Sequence, residues 1–228
     1  MDERREIVGR TFDGCSPLFI SCKRGNVEIV EYLIEHCQAN IEQKGVYEVP
    51  DDRSIHNVTP VWCAAVAGKL EVVKCLVKHG ADVNSVSDTG STPVRSACFM
   101  THLDIVKFLV ENNADILKPN YNGGTCLINS VQSVPLCDYL LKKGADVNAQ
   151  DIQMKTALHY AIQEHRFETT KLLLEYGASM YREKVIVEKC TFPNFSPLST
   201  KILLSRTATV MTLCRRPVSR VLLKFLAI

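Results

Sequence analysis

Residues 80–84 read GADVN, and residues 144–148 repeat these five letters unchanged. Weaker copies stand at 113–116 (NADI) and 177–180 (GASM). Each copy closes a segment that opens with a Thr-Pro pair or a relative of it. The opening residues are Ser16, Thr59, Thr92, Thr125 and Thr156. Because a fixed self-similar period decides the whole fold, this repetition is interpreted before any local motif.

The last four openings are separated by 33, 33 and 31 residues. A threonine at such an opening caps a helix, and proline suits the next position because its missing N–H would be unpaired there. Apolar residues at helical spacing mark a second helix in residues 70–77 and 103–110. Gly80, Gly144 and Gly177 follow such helices and suit the left-handed residue that ends them. The pattern predicts an all-α solenoid of about five stacked helix pairs.

Residues 156–161 read TALHYA, close to the signature TPLHxA, and together with the GADVN copies they resemble the ankyrin repeat. The resemblance implies a protein-binding module with a long concave surface and no catalytic cleft. We expect a lead-in at residues 1–12, repeats at 13–182, and a basic tail outside the repeats at 183–228.

Two irregularities interrupt the period. The first and second openings lie 43 residues apart, and the surplus falls in a polar insertion at residues 43–57. This insertion is either a solvated surface loop or a finger that contacts a ligand, because insertions in repeats map to loops that often carry binding residues. The fourth repeat has lost two residues around 132–135, so we expect a distorted or shortened helix pair there.

The charge is unevenly distributed along the chain. The net charge is +2, yet residues 191–228 contain six Lys or Arg and no acidic residue. Residues 1–190 therefore hold 21 basic and 25 acidic residues, a net charge of −4. A mildly acidic repeat stack does not suit a phosphate backbone, so we expect no nucleic-acid partner. No stretch of the sequence reaches the length of a membrane span.

The ten cysteines indicate free thiols rather than disulfides. Cys22, Cys63, Cys75 and Cys98 fall at helical positions typical of a core, where a thiol behaves as a small hydrophobe. No C-x-x-C pair and no Cys/His cluster with zinc spacing is present, so we expect neither a metal nor a cofactor. The N-terminus is charged and lacks an apolar run. These features predict a reducing cytoplasmic or nuclear setting.

The position after each opening triplet varies between repeats. Its residues are Phe19, Trp62, Arg95, Ile128 and His159. Ordinary ankyrin repeats carry His here, and only His159 keeps it. A buried unpaired guanidinium would cost several kcal/mol, so Arg95 is either paired or turned toward the groove. Trp62 and Phe99 either pack in the core or form the aromatic wall of a pocket in which Arg95 binds a carboxylate.

Residues 59–65 (TPVWCAA) and 91–99 (STPVRSACF) look like the N-terminal ankyrin domain of the Fem (feminization) family. The long insertion and the segments 112–115 and 125–127 match as well, and the resemblance covers residues 13–182. Fem proteins are substrate receptors of cullin–RING ubiquitin ligases. The resemblance implies that the ankyrin groove binds the extreme C-terminus of a target protein, often one that ends in Arg.

The family's binding residues carry over to particular positions. They match Trp62, Arg95 and Phe99, with Cys98 included as the partner of Phe99 in the Cys-Phe pair. Asp51 stands where the insertion contributes an acidic residue, although Asp52 is one position away and is an alternative. A second acidic residue of the family is replaced here by Met100. We therefore expect a C-terminal peptide to bind with a relaxed or changed preference for terminal Arg.

The tail leaves three interpretations open. Val210, Cys214 and Val218 follow the spacing of the box that binds Elongin C in related receptors, which would add Elongin C and a cullin as partners. Pro217 opposes this interpretation, because proline inside a helix costs about 3 kcal/mol. The tail is otherwise an unrelated or truncated terminus, or a basic amphipathic segment for an anionic membrane.

The sequence thus predicts a non-catalytic module that recognises a protein C-terminus as a substrate receptor for ubiquitin ligation. The main alternative is a generic ankyrin scaffold in which Trp62 and Arg95 serve structure only. Lost peptide binding with unchanged melting in Arg95→Ala would favour the receptor. A cysteine-based enzyme is not expected, because no Ser or Cys stands in a nucleophile motif.

Overall fold

A computed structural model describes residues 9–48 and 55–179 of the chain. Within these ranges, ten helices form five antiparallel pairs, one pair for each predicted repeat. The pairs are α1 (Pro17–Arg24) with α2 (Val27–Glu35), α3 (Pro60–Val66) with α4 (Leu70–Lys78), α5 (Pro93–Phe99) with α6 (Leu103–Glu111), α7 (Cys126–Asn129) with α8 (Val134–Lys142), and α9 (Ala157–Gln163) with α10 (Phe167–Glu175). The predicted ankyrin-type solenoid is confirmed.

The predicted caps begin and end these helices. The hydroxyls of Thr92 and Thr125 accept hydrogen bonds from backbone N–H groups three residues later. Thr59 instead places its hydroxyl 2.8 Å from the hydroxyl of Ser85 in the next turn. Gly80 and Gly144 have φ angles of 89° and 91°, the left-handed conformation that ends a helix with little cost for glycine.

The helices bury one continuous apolar core between successive repeats. Leu76, Leu109 and Leu140 come from the outer helices α4, α6 and α8 and have no exposed surface. Val94 and Leu127 contribute from the inner helices α5 and α7. Since each pair buries its apolar face against its neighbours, the stack is stable only as a whole.

The described parts of the insertion form two paired β-strands rather than an irregular loop. Strands β1 (Gly45–Glu48) and β2 (Ile55–Val58) pair in antiparallel register, with Tyr47 opposite His56. Tyr47 is only 5% exposed, and its ring meets the Trp62 ring edge-on with 5.8 Å between centroids. The hairpin is anchored because this aromatic contact gives it a buried face.

The fourth repeat is shortened, as predicted. Helix α7 contains four residues, whereas the inner helices α3, α5 and α9 contain seven each. Between the second and third repeats, His102 Nε2 lies 3.1 Å from the Val66 carbonyl oxygen. In the fourth repeat the equivalent position, just before the outer helix, is held by Ser133, and among the described residues no such bond joins the third and fourth repeats.

Asparagine side chains at the end of GADVN tie neighbouring repeats together. The Asn84 amide donates to the Asn113 carbonyl (3.1 Å), and its oxygen accepts from the Asp115 N–H (2.8 Å). Asn148 makes the same pair of contacts with the carbonyl of Gly177 and the N–H of Ser179. Each carboxamide thus satisfies one backbone donor and one backbone acceptor of the next repeat.

The equivalent residue of the third repeat is Leu117, which cannot make these bonds. The backbone groups that an asparagine would bridge there are the Gly144 carbonyl and the Asp146 N–H. Neither group has a hydrogen-bond partner among the described residues. The junction between the third and fourth repeats therefore lacks the asparagine bridge that the junctions before and after it have.

We expect Leu117→Asn to stabilise the protein. Because Leu117 is 57% exposed, little apolar burial is lost, whereas two backbone groups gain a partner. The net gain should be about 1 kcal/mol, as for a typical intramolecular hydrogen bond. Urea denaturation monitored by circular dichroism measures it, with Leu117→Ala as the control that adds no polar group. A stability equal to that of the control would contradict the prediction.

Candidate functional site

The two unusual first-turn residues bridge neighbouring repeats. The Trp62 Nε1–H donates to the Ser91 carbonyl at 3.1 Å. The Arg95 Nε–H donates to the Gly124 carbonyl at 2.9 Å. Both acceptors directly precede the opening threonine of the next repeat, so Trp62 and Arg95 make equivalent contacts one repeat apart. Part of the alternative interpretation is therefore correct, because both residues support the stack.

Arg95 nevertheless keeps donors for a ligand. Besides the bond to Gly124, its Nη1 donates to the Ser91 hydroxyl (2.9 Å) and its Nη2 makes a long contact to Asn129 Oδ1 (3.5 Å). A guanidinium carries five N–H donors, so two remain. No described carboxylate forms an ion pair with Arg95. Burial lowers the pKa of Arg95 below its ordinary value, because the cation loses hydration without gaining an anionic partner.

Glycine at position 124 permits this placement. A Cβ atom built on Gly124 would lie 2.8 Å from Arg95 Nη2. Any larger residue would push the guanidinium away from the Gly124 carbonyl. The loop at residues 119–125, which carries Gly124, thus leaves room for the Arg95 side chain.

Two adjoining hollows lie on either side of Arg95 and Phe99, and together they form what we call the Arg95 groove. The first has a volume of about 290 Å³ and the second about 240 Å³. Five residues line both hollows: Arg95, Phe99, Asn120, Asn122 and Asn129. The first hollow contains no acidic residue among its lining residues, whereas Asp151 and Glu164 line the second.

The predicted binding residues occupy different environments. Phe99 is 45% exposed and forms a wall of both hollows, while Trp62 is only 4% exposed and contributes an edge to the first. Cys98 has no exposed surface and faces the core. A peptide cannot reach it directly, so Cys98 is corrected to a packing residue and leaves the set of peptide contacts. Met100 lines the first hollow beside Phe99.

The hairpin closes one end of the first hollow. His56 of β2 lines it, and its Nδ1 lies 3.1 Å from the Asp88 carboxylate. Burial alone would raise the pKa of Asp88, but the Asn57 N–H and the His56 ring lower it below its ordinary value. These contacts fasten the hairpin to the next turn, so the insertion is positioned as a wall of the groove.

The asparagines of the groove were not found by sequence reasoning. Asn120 Oδ1 accepts from the N–H groups of Asn122 and Gly124, a turn that the Asn-x-x-Gly spacing could have indicated. Among the described residues, the side-chain NH₂ groups of Asn120, Asn122 and Asn129 have no hydrogen-bond partner, and all three residues line the hollow beside Arg95. The groove is consequently rich in hydrogen-bond donors.

Several predicted residues lie outside the described residues. They are Asp51 and Asp52 of the insertion and Val210, Cys214 and Val218 of the tail. Their roles stay predictions.

The described residues contain no cluster suited to a metal ion, and burial affects the reactivity of three of their thiols. No group of three or more His, Cys, Asp or Glu within 9–48 and 55–179 is placed to hold a metal ion. Burial raises the pKa of the Cys22, Cys63 and Cys98 thiols, which keeps these groups protonated and weakly nucleophilic. In the same ranges, no helix combines the length and apolar character needed to cross a membrane.

Comparison with known proteins agrees with this architecture. A family model described as ankyrin repeats in three copies matches residues 46–120 and 116–184, and a single ankyrin-repeat model matches residues 13–43. The chain belongs to the ankyrin-repeat family. Its resemblance to the Fem family is confirmed by relatives that carry the fem-1 name.

Three of these relatives illustrate the extent of the similarity. Protein fem-1 homolog A-like of Mus musculus is 40% identical over 185 residues, which is 80% of this chain and 28% of that protein. Protein fem-1 homolog A of Homo sapiens is 38% identical over 185 residues, which is again 80% of this chain and 28% of that protein. Protein fem-1 homolog CG6966 of Drosophila melanogaster is 46% identical over 86 residues, 38% of this chain and 13% of that protein. The chain spans about a quarter of the length of the two homolog A relatives.

The bonds of Arg95 revise the expected behaviour of its alanine variant. We expect Arg95→Ala to lower the free energy of unfolding by about 1–3 kcal/mol, since the Gly124 carbonyl loses its donor. Lys107→Ala is the control, because it removes an exposed cation of the same repeat and should change stability by less than about 0.5 kcal/mol. Equal urea midpoints for the two variants would show that the guanidinium does not bridge the repeats.

Proposed function

We propose that the Arg95 groove binds the C-terminal residues of a partner protein, with the terminal carboxylate on Arg95. The observation that carries this proposal is a half-buried guanidinium with two unused N–H donors and no described carboxylate within ion-pair distance. A carboxylate accepts such donors in a bidentate arrangement, and the pairing is strongest where water is partly excluded.

The rest of the groove suits a polypeptide end. Phe99 offers an exposed aromatic face beside the cation, a combination that is common in interface hot spots. The amides of Asn122 and Asn129 can hydrogen-bond the peptide groups that precede the terminus. The proposed contact set is Arg95, Phe99 and Trp62 with these asparagines, and Asp51 of the insertion as a further predicted member.

Binding should depend on the free terminal carboxylate. A fluorescent peptide with a free C-terminus should bind about 10- to 100-fold more tightly than its C-terminal amide, because a hydrogen bond to a charged group contributes roughly 1.5–3 kcal/mol. Phe99→Ala should weaken the binding of the free-acid peptide. It should not cause the loss of stability expected for Arg95→Ala, because Phe99 is 45% exposed. Fluorescence anisotropy measures both effects, and equal affinity for acid and amide would refute the carboxylate site.

We further propose that the terminal side chain of the peptide lies in the first hollow of the groove, away from Asp151 and Glu164 of the second, and that the groove therefore lacks a strong preference for terminal Arg. Met100 stands where the family has an acidic residue, and no described lining residue of the first hollow is acidic. Peptides that end in Arg, Ala and Gly should therefore bind with affinities within about tenfold of one another, a difference of about 1.4 kcal/mol. Met100→Asp is the matched gain-of-charge variant and should restore selectivity for Arg. A strong Arg preference in the unmodified chain would contradict this proposal.

The ubiquitin-ligase role is a separate proposal that rests on the Fem resemblance. The chain would act in the cytoplasm or nucleus as a substrate receptor, with Elongin C and a cullin as partners. Co-expression of the full chain with Elongin C, followed by affinity purification, tests it. Absence of Elongin C from the purified chain would remove the ligase role and leave a peptide-binding ankyrin adaptor, the alternative function.

A further inference from the structure

The junction between the third and fourth repeats carries a third hollow, which is not part of the Arg95 groove. Its volume is about 320 Å³, and it is lined by Ile116, Leu117, Pro119, Gly123, Thr125, Leu127, Ala145, Asp146, Ala149 and Gln150. The loop at residues 119–125 separates this hollow from the Arg95 groove. Pro119, Gly123 and Thr125 line this hollow, whereas Asn120 and Asn122 line the groove.

The hollow is lined by Asp146, one of the two residues whose backbone group lacks its usual partner, and by Ala145, which directly follows the other residue, Gly144. At the junctions before and after it, one asparagine carboxamide contacts a carbonyl oxygen and an N–H group at distances between 2.8 and 3.4 Å. The corresponding groups here are the Gly144 carbonyl and the Asp146 N–H, which have no partner among the described residues. Asp146 itself lines the hollow.

We propose that this hollow binds an asparagine or glutamine side chain of a partner polypeptide, flanked by apolar residues. The carboxamide replaces the one that Leu117 fails to supply, donating to the Gly144 carbonyl and accepting from the Asp146 N–H. The flanking apolar side chains lie against Leu117, which is 57% exposed, and against Pro119 and Leu127.

Other polar groups fit this pair of backbone groups less well. A carboxylate has no donor for the Gly144 carbonyl, and an ammonium group has no acceptor for the Asp146 N–H. The carboxamide satisfies both, as Asn84 and Asn148 do in this chain. Specificity follows because an apolar side chain that covers these two backbone groups would displace water from them without bonding them, whereas the carboxamide bonds both.

Nuclear magnetic resonance with the full ¹⁵N-labelled chain tests the proposal. The probe is the blocked tripeptide acetyl-Leu-Asn-Leu-amide, which has no free carboxylate and so does not report on the Arg95 groove. The Asp146 amide resonance should shift in a saturable manner, and acetyl-Leu-Ala-Leu-amide should bind at least about tenfold more weakly, as expected when two hydrogen bonds are lost.

Two variants provide the controls. Leu117→Asn fills the site from within and should abolish the saturable shift, whereas Leu117→Ala keeps the two backbone groups free and should retain it. Equal affinity for the Asn and Ala peptides, or unchanged binding to Leu117→Asn, would overturn the proposal. Arg95→Lys should leave the titration unaffected, so failure here is distinguishable from failure of the C-terminal peptide site.

Discussion

The groove depends on two hydrogen bonds that run from a first-turn side chain to the carbonyl just before the next opening threonine. Trp62 reaches Ser91 in this way, and Arg95 reaches Gly124. Apolar burial supplies most of the free energy that holds ankyrin-type pairs together, but it is non-directional. These two directional bonds orient the second, third and fourth pairs against one another, and therefore shape the groove between them.

The need for a bond to the next repeat explains why Arg95, and not Trp62, can also donate hydrogen bonds to a ligand. An indole has one N–H, and that of Trp62 donates to the Ser91 carbonyl. The guanidinium of Arg95 makes its contacts to Gly124, Ser91 and Asn129 and still keeps two donors. Structural and ligand-binding interpretations of Arg95 are thus compatible, because the residue has more donors than the stack uses.

The repeat period predicted the fold in detail, whereas contacts between distant residues could not be predicted. The helix start at Thr92 and the helix end at Gly80 follow from local capping rules, and the shortened helix α7 follows from the number of residues in the fourth repeat. The hairpin was missed because its buried face depends on Tyr47 meeting Trp62, a contact that no local pattern encodes. Cys98 was placed in the site through its neighbour Phe99, although adjacent helical residues point in different directions and only Phe99 faces the groove.

The junction between the third and fourth repeats departs from its two neighbours, and Arg95 spans it. This junction lacks the asparagine bridge because Leu117 stands in place of the asparagine. Arg95 crosses it with side-chain hydrogen bonds to Gly124 and Asn129. A carboxylate on Arg95 would compete with or tighten these bonds, so occupation of the groove and the stability of this junction are linked. The residue with spare donors therefore also holds a junction that lacks the asparagine bridge of its two neighbours.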